Sequence, residues 1–149
     1  MDVNGYEIEP GANLTNSDLS GADLCGVYLT DANLSGANLA SAELWLTNLS
    51  DADLSGANLT NVNLTSAKLF GANLASADLS GANLYGADIS AAILANANLT
   101  SAKLFGARLF GADLSGAQLT YADLTNANLT DANLTGATMP DGTIHDYQD

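Results

Sequence analysis

The chain has 149 residues, 47% of which are hydrophobic, and a formal net charge of −14 at pH 7. This length suits one domain, the hydrophobic fraction is too high for a disordered chain, and the acidic charge argues against direct binding of nucleic acid or an anionic membrane. No apolar run approaches the about 20 residues of a membrane span, and residues 1–9 lack the basic and apolar regions of a secretion signal. We therefore expect a cytoplasmic protein, or an exported one if a signal was removed before residue 1.

Residues 1–11 precede a regular repeat and do not share its spacing. Their apolar members are Val3, Tyr6 and Ile8. If the repeat that follows forms stacked β-structure, its terminal coil has unpaired backbone groups of the kind that proteins usually cover. We predict that residues 1–11 form an N-terminal cap.

Residues 12–137 repeat the five-residue unit Ala-(Asp/Asn)-Leu-(Ser/Thr)-(Gly/Asn/Ser/Asp). With the central Leu as position i, 25 consecutive units run from Leu14 to Leu134 without an insertion, and Ile89 is the one centre that is not Leu. Position i−2 is Ala in 21 units, and its exceptions are Ser17, Val27, Thr47 and Val62. One local structure is therefore repeated along nearly the whole chain.

A period of five excludes the two ordinary secondary structures. An α-helix advances about 100° per residue, so apolar residues five apart would not line one stripe. In a flat strand, residues i and i+5 point to opposite faces. Positions i−2 and i share a face, however, so both can point inward if the chain turns a corner once per unit. The periodicity thus predicts a coil with Ala and Leu inside, and leaves open whether it has three, four or five sides.

The tandem A(D/N)LXX pattern resembles the signature of the pentapeptide-repeat family over residues 11–137. This resemblance implies an all-β fold, a right-handed quadrilateral parallel β-helix with four units per coil, in which residues 20 apart stack. Residues 12–137 would then form about six coils and a rod of roughly 30 Å, at ~4.8 Å per coil. We number the four faces in chain order from the face centred on Leu14.

Aromatic and basic residues at outward positions concentrate on faces three and four. The set is Tyr28, Trp45, Lys68, Phe70, Tyr85, Lys103, Phe105, Arg108 and Phe110, and it includes every Lys and Arg of the chain. Aromatic and Arg side chains contribute much of the energy of protein interfaces. We therefore predict a non-enzymatic protein-binding or scaffold module whose partner is an unidentified protein. The alternative role of these rings is to stabilise neighbouring strands.

The resemblance also implies a second function, because family members that protect bacteria against quinolones resemble B-form DNA and occupy DNA gyrase. Residues 12–137 carry 11 acidic and 3 basic side chains, a net charge of −8. Duplex DNA carries one charge per ~1.7 Å, or roughly 18 over the same length. The lower density disfavours an acidic DNA mimic that binds a type II topoisomerase.

The sequence contains no catalytic or metal-binding constellation. His145 is the only His and Cys25 the only Cys, so neither a His-dependent nucleophile, a multi-His metal site nor an internal disulfide can be assembled. We expect no enzyme activity, no cofactor and no metal. Cys25 at i+1 is expected to be an exposed replacement for Ser or Thr. Asp31 and Asp51 would stack and could bind a cation weakly, although the turn preference of Asp explains them more simply.

Residues 138–149 follow the repeat and contain Pro140 and Gly142. Met139 and Ile144 keep the spacing of the central position, so we expect a C-terminal cap or tail whose last turn closes the core. The gyrase-directed relatives imply an alternative, in which this end forms an end-to-end dimer. The chain is therefore expected to be a monomer or a C-terminal dimer.

Overall fold

The computed structural model describes residues 1–146, which contain no helix. Two short strands, β1 (Asp2–Val3) and β2 (Tyr6–Glu7), form an antiparallel hairpin in which Val3 pairs with Tyr6. Ile8 follows the hairpin, is 5% exposed and belongs to the core. The hairpin is thus joined directly to the apolar interior of the first coil.

From Asn13 onward the backbone pairs through parallel bridges between residues 20 apart. The first bridge joins Asn13 to Asn33, and the last of the series joins Gln118 to Thr138. A residue therefore pairs with the equivalent residue four units later. The chain is a repeat β-helix, and each group of four units forms one coil.

Each coil is hydrogen-bonded to the coils on both sides. In a typical unit, Leu34 N donates to Asp53 O at 2.6 Å in the following coil, and Asn38 N donates to Ser17 O at 2.8 Å in the preceding one. The corner is closed within the chain by Ala37 N, which donates to Leu34 O at 3.0 Å. Because these bonds recur between successive coils, the interior can be apolar without leaving the backbone groups of the inner coils unpaired.

The interior consists of the residues at i−2 and i. All central residues from Leu19 to Leu119 are 0–1% exposed, and the Ala residues between them are similarly buried. The predicted inward position of Ala and Leu is confirmed. Full burial of one Leu contributes about 1.5–3 kcal/mol relative to exposure, so the repeated core is the main source of stability.

The outward residues of the unit stabilise the corner. In one unit, Ser35 N donates to Asn33 Oδ1 at 3.0 Å, and the Ser35 hydroxyl donates to the same oxygen at 2.7 Å. Every Asp or Asn at i−1 accepts the N–H of residue i+1 in this way, in 18 of the 25 units. This N–H bond, called here the Asx bond, explains why the unit prefers Asp or Asn before Leu, and the hydroxyl bond to the same oxygen explains the preference for Ser or Thr after it.

The C-terminal segment differs from the expected last turn. The chain reverses after Met139, whose N–H donates to Thr143 O at 2.7 Å, and Thr138 pairs antiparallel with Ile144. Met139 is half-buried and packs against the core, whereas Ile144 is 56% exposed, so the expectation that Ile144 helps to close the core is wrong. The physical reason is the reversal around Pro140 and Gly142, because a hairpin does not continue the five-residue spacing that directs every fifth side chain inward.

Candidate functional site

Seven units do not form the Asx bond, because position i−1 is neither Asp nor Asn. Five of them lie on faces three and four, at Tyr28, Glu43, Lys68, Lys103 and Arg108. The other two contain Ile93 and Gln118. The units that lack the corner-stabilising bond are therefore concentrated on the two faces that the sequence predicts to be a partner surface.

Long charged and aromatic side chains replace the short polar pair in these units. Four of these units have a charged residue two positions before an aromatic one. Glu43 precedes Trp45, Lys68 precedes Phe70, Lys103 precedes Phe105, and Arg108 precedes Phe110. Residues i−1 and i+1 lie on the same side of a strand, so each ring lies beside a charged chain. Tyr85 is the exception, because its N–H retains the Asx bond to Asn83 Oδ1 at 3.1 Å.

Face three carries a column of residues at i+1, spaced by one coil. Trp45 is 43% exposed and Tyr85 51% exposed, whereas Phe105 is half-buried. The rings of Tyr85 and Phe105 are stacked, with centroids 5.3 Å apart and planes inclined by 8°. Phe105 is thus partly covered by its neighbour on the preceding coil, and this contact stabilises the adjoining strands as well.

Face four carries three more exposed rings, from Tyr28, Phe70 and Phe110. Its i−1 column pairs Lys68 with Asp88 and Asp88 with Arg108 along the backbone. The structure thus places the nine residues of the predicted surface on these two faces, with two of the rings in direct contact.

The basic residues of this surface have no ion-pair partner among residues 1–146. The one salt bridge in this part of the chain joins the N-terminal amine to Glu7. Asp88 lies between Lys68 and Arg108 in the column, but it accepts the N–H of Ser90 and is not within 4.0 Å of either cation. The cationic groups are therefore available to external carboxylates.

Leu46 is a surface residue that sequence analysis missed. It occupies i+2, is 55% exposed and has a φ of 59°. Polar residues, Gly or Ala fill nearly all equivalent positions, so a bulky apolar residue there was the available signal. Leu46 and Trp45 line a cleft of about 350 Å³ together with Asn63, Thr65 and Ser66.

Cys25 is half-buried, so the expectation of an exposed thiol is wrong. Its Sγ lies 3.9 Å from Glu43 O on the following coil. Burial, together with the negative charges of Asp23 and Glu43, raises the pKa of the Cys25 thiol to about 11. A thiol with this pKa is a poor nucleophile near neutral pH.

Asp31 and Asp51 have φ values of 59° and 60°, the left-handed turn conformation that Asp tolerates. This geometry favours the turn explanation over a cation site. No group of three or more His, Cys, Asp or Glu within residues 1–146 is arranged to hold a metal ion. The same residues include no helix that is long and apolar enough to cross a membrane.

Comparisons with solved structures find similar folds. Two trypsin-treated forms of QnrB1, a plasmid-mediated fluoroquinolone resistance protein, are similar to this chain. The first is 23% identical with a TM-score of 0.58, and the match covers 93% of this chain and 86% of that form of QnrB1. The second is 25% identical with a TM-score of 0.50, and the match covers 95% of this chain and 87% of that form. The pentapeptide-repeat protein Rfr23 from the cyanobacterium Cyanothece 51142 is 30% identical, with a TM-score of 0.48, over 87% of this chain and 91% of Rfr23.

A comparison with curated protein sequences returns no significant match. A family model described as pentapeptide repeats matches in eight copies, over residues 11–45, 47–84, 82–113 and 107–141. These matches extend over most of the chain and agree with the 20-residue backbone register. The chain belongs to the pentapeptide-repeat family.

Proposed function

We propose that this chain is a non-enzymatic protein-binding or scaffold module. It presents faces three and four of a right-handed quadrilateral β-helix of about six coils to a protein partner. The observation that carries the proposal is the concentration of units without the Asx bond on these two faces. Exposed rings, and cations without an ion-pair partner among residues 1–146, take the place of the short polar residues there.

The energetic argument is that these units give up a stabilising interaction. A side-chain hydrogen bond to the backbone contributes about 0.5–1.5 kcal/mol to stability. Units such as those of Trp45 and Phe70 lack this bond and leave a large apolar ring in water. A partner that covers the rings would recover the apolar burial and pair with the cations, which accounts for residues that the fold itself does not require.

Capture of partners from a lysate of the native host tests the proposal. The intact protein is compared with a Trp45→Ala/Phe105→Ala double variant. An Ile93→Ala/Tyr121→Ala double variant is the matched control, because it also removes two apolar surface side chains but on the remaining faces. We expect the first variant to lose a protein that the control retains. Equal capture by all three proteins would contradict the proposal.

A second candidate is an acidic DNA mimic that binds a type II topoisomerase such as DNA gyrase. It is favoured by the similarity to QnrB1 at 25% identity and a TM-score of 0.50. It is disfavoured by a charge of −8 over residues 12–137, less than half of the roughly 18 charges of equivalent duplex DNA. A gyrase supercoiling assay distinguishes the two candidates, because inhibition by a mimic would weaken steeply with added salt. We expect no inhibition at micromolar protein.

The oligomeric state is proposed to be a monomer or an end-to-end dimer through the C-terminal end. The dimer is favoured by three central residues of the last coil, Leu124, Leu129 and Leu134, which are only half-buried among the residues described. Light scattering after size exclusion measures the mass directly. A Leu129→Ser variant should convert a dimer of this kind to monomer, whereas a mass independent of concentration and equal to one chain would support the monomer.

A further inference from the structure

Between Trp45 and Phe105, the i+1 column of face three contains one position without an aromatic ring. The column begins at Cys25 and ends at Thr125, and its middle part reads Trp45, Thr65, Tyr85 and Phe105 on successive coils. Backbone hydrogen bonds connect these members of the column, because the residue after each one donates to the next member. Leu46 N donates to Thr65 O at 3.0 Å, and Ser66 N donates to Tyr85 O at 2.9 Å. Thr65 therefore interrupts the aromatic part of this column.

The stack of Tyr85 and Phe105 shows how rings on adjacent coils fit together. Their centroids are 5.3 Å apart and their planes are inclined by 8°. Trp45 and Tyr85 are two coils apart, or about 9.6 Å at the usual strand spacing. A ring above Thr65 would have its centroid about 4.8 Å from each of them, within the range of favourable aromatic pairs.

The space above Thr65 is open and partly apolar. The cleft of about 350 Å³ is lined by Trp45, Leu46, Asn63, Thr65 and Ser66, and is called here the Thr65 cleft. Leu46 contributes a branched apolar side chain from a left-handed backbone position, where Gly or Asn would be less strained. Every i+2 residue of the repeat has this conformation, and Leu46 differs from nearly all of them in being bulky, apolar and beside an exposed Trp, which suits contact with a partner.

We propose that the Thr65 cleft binds an aromatic side chain from an extended, acidic segment of a partner protein. This inference rests on the proposed function and specifies the chemistry of the partner. The ring completes the column between Trp45 and Tyr85. Carboxylates that flank it in the partner pair with Lys68, on the same coil beyond the corner, and with Lys103, on the same face, whereas the carboxylate of Glu43 beside Trp45 already accepts a hydrogen bond from Asn63 Nδ2 at 2.8 Å. Both cations lack an ion-pair partner among residues 1–146.

The unique Trp of the chain makes this site directly observable. Trp45 lines the cleft and is the only Trp, so fluorescence excited selectively at Trp reports on this position. The probe is a capped pentapeptide with one Phe between two pairs of acidic residues. We expect a saturable change in Trp45 emission with this peptide, and about tenfold weaker binding when Phe is replaced by Ala or when the acidic residues are replaced by Lys. Equal responses to the three peptides would overturn the proposal.

A variant that fills the cleft separates loss of the site from loss of the fold. Thr65→Tyr places a ring of the chain itself between Trp45 and Tyr85. The backbone tolerates Tyr here, because Tyr85 has the same preceding Asn and the same Asx bond. We expect this variant to melt no lower than the original protein and to lose peptide binding. Thr125→Tyr is the matched control, because it adds a ring to the same column beyond Phe105 and leaves the cleft open.

The outcomes distinguish failure of this inference from failure of the proposed function. If Thr65→Tyr still captures the partner that Trp45→Ala/Phe105→Ala loses, the inference is wrong and the proposed function stands. If the peptide binds at the cleft but no variant changes partner capture, the proposed function is wrong. Saturable binding of a neutral oligosaccharide, with no response to the peptides, would overturn the inference in favour of a carbohydrate ligand.

Discussion

The side chain of Asp51 lies over Gly71, its counterpart on the next coil, and Oδ1 is too close for a Cβ to be added at Gly71 without a shift. The same arrangement recurs wherever Asn or Asp at i+2 is followed one coil later by Gly, in the pairs Asn16 and Gly36, Asn61 and Gly81, and Asn96 and Gly116. Gly71 is thus favoured for two reasons, its φ of 69° and the carboxylate beside it.

Gly71→Ala should destabilise the protein more than Gly56→Ala. Both positions have similar positive φ values, 69° and 65°, so the backbone strain of Ala is nearly equal in the two variants. A Cβ at Gly56 meets nothing within 4 Å, whereas one at Gly71 collides with Asp51. We expect the difference in unfolding free energy to be about 1–2 kcal/mol in urea denaturation. Equal losses, or a difference that persists in an Asp51→Gly background, would contradict the role of Asp51.

The sequence alone predicts which side chains point into the interior, but it does not predict the contacts between coils. The inward direction of Ala37 and Leu39 follows from a period of five, because only a chain that turns once per unit can bury both. The contact of Asp51 with Gly71 requires the register of 20 residues, which periodicity alone leaves open. The reversal that exposes Ile144 depends on a hairpin that the repeat cannot predict.

The candidate surface was predictable in composition but not in geometry. Lys68 and Phe70 are recognisable as departures from the small polar unit, since the unit repeats so regularly. The contact between Tyr85 and Phe105 depends on ring orientations, which spacing does not specify. The importance of Leu46 emerges only with its φ of 59° and its place beside Trp45.

Ser17→Ala should stabilise the protein and Thr47→Ala should destabilise it. Both residues replace Ala at i−2 and are buried. The Ser17 hydroxyl has no hydrogen-bond partner among residues 1–146, whereas the Thr47 hydroxyl donates to Leu24 O at 2.7 Å. Removing an unsatisfied buried hydroxyl should increase the unfolding free energy by about 1 kcal/mol, and removing a satisfied one should lower it by about 1–2 kcal/mol. Denaturant titration of the two variants would refute this explanation if both changes had the same sign.

Stability should fall in acid below about pH 4, close to the ordinary pKa of Asp. The hydroxyl and N–H of Ser20 lower the pKa of Asp18, and those of Thr125 lower the pKa of Asp123. Because the folded pKa lies below the unfolded one, these groups stabilise the fold above the unfolded pKa and lose that contribution as the pH falls through the folded pKa. An Asp18→Asn/Asp123→Asn variant keeps the acceptor oxygens but cannot titrate. We expect its melting temperature to decline less steeply below pH 4, and parallel curves for the two proteins would exclude this source of acid sensitivity.

Leu46→Asn should raise stability and weaken partner binding at the same time. Leu46 has a φ of 59°, a conformation that costs most residues about 1–2 kcal/mol and that Asn adopts more readily. Asn occupies the same i+2 position at Asn61 with a φ of 55°, so the local structure accepts it. Leu46 is 55% exposed, and its replacement removes little buried apolar surface. The unfolding free energy should therefore increase by roughly 0.5–1 kcal/mol, part of the relieved strain.

The same substitution removes an apolar wall of the Thr65 cleft. The acidic Phe peptide should consequently bind Leu46→Asn several-fold more weakly, measured by Trp45 fluorescence, because a buried apolar contact at an interface typically contributes about 1 kcal/mol. Ala91 provides a matched control, since it has the same i+2 position and a φ of 57° but lies away from the cleft. Ala91→Asn should also raise stability and should leave peptide binding unchanged. If Leu46→Asn gains stability without losing peptide affinity, the backbone strain at Leu46 is merely tolerated and the residue is not part of a binding surface.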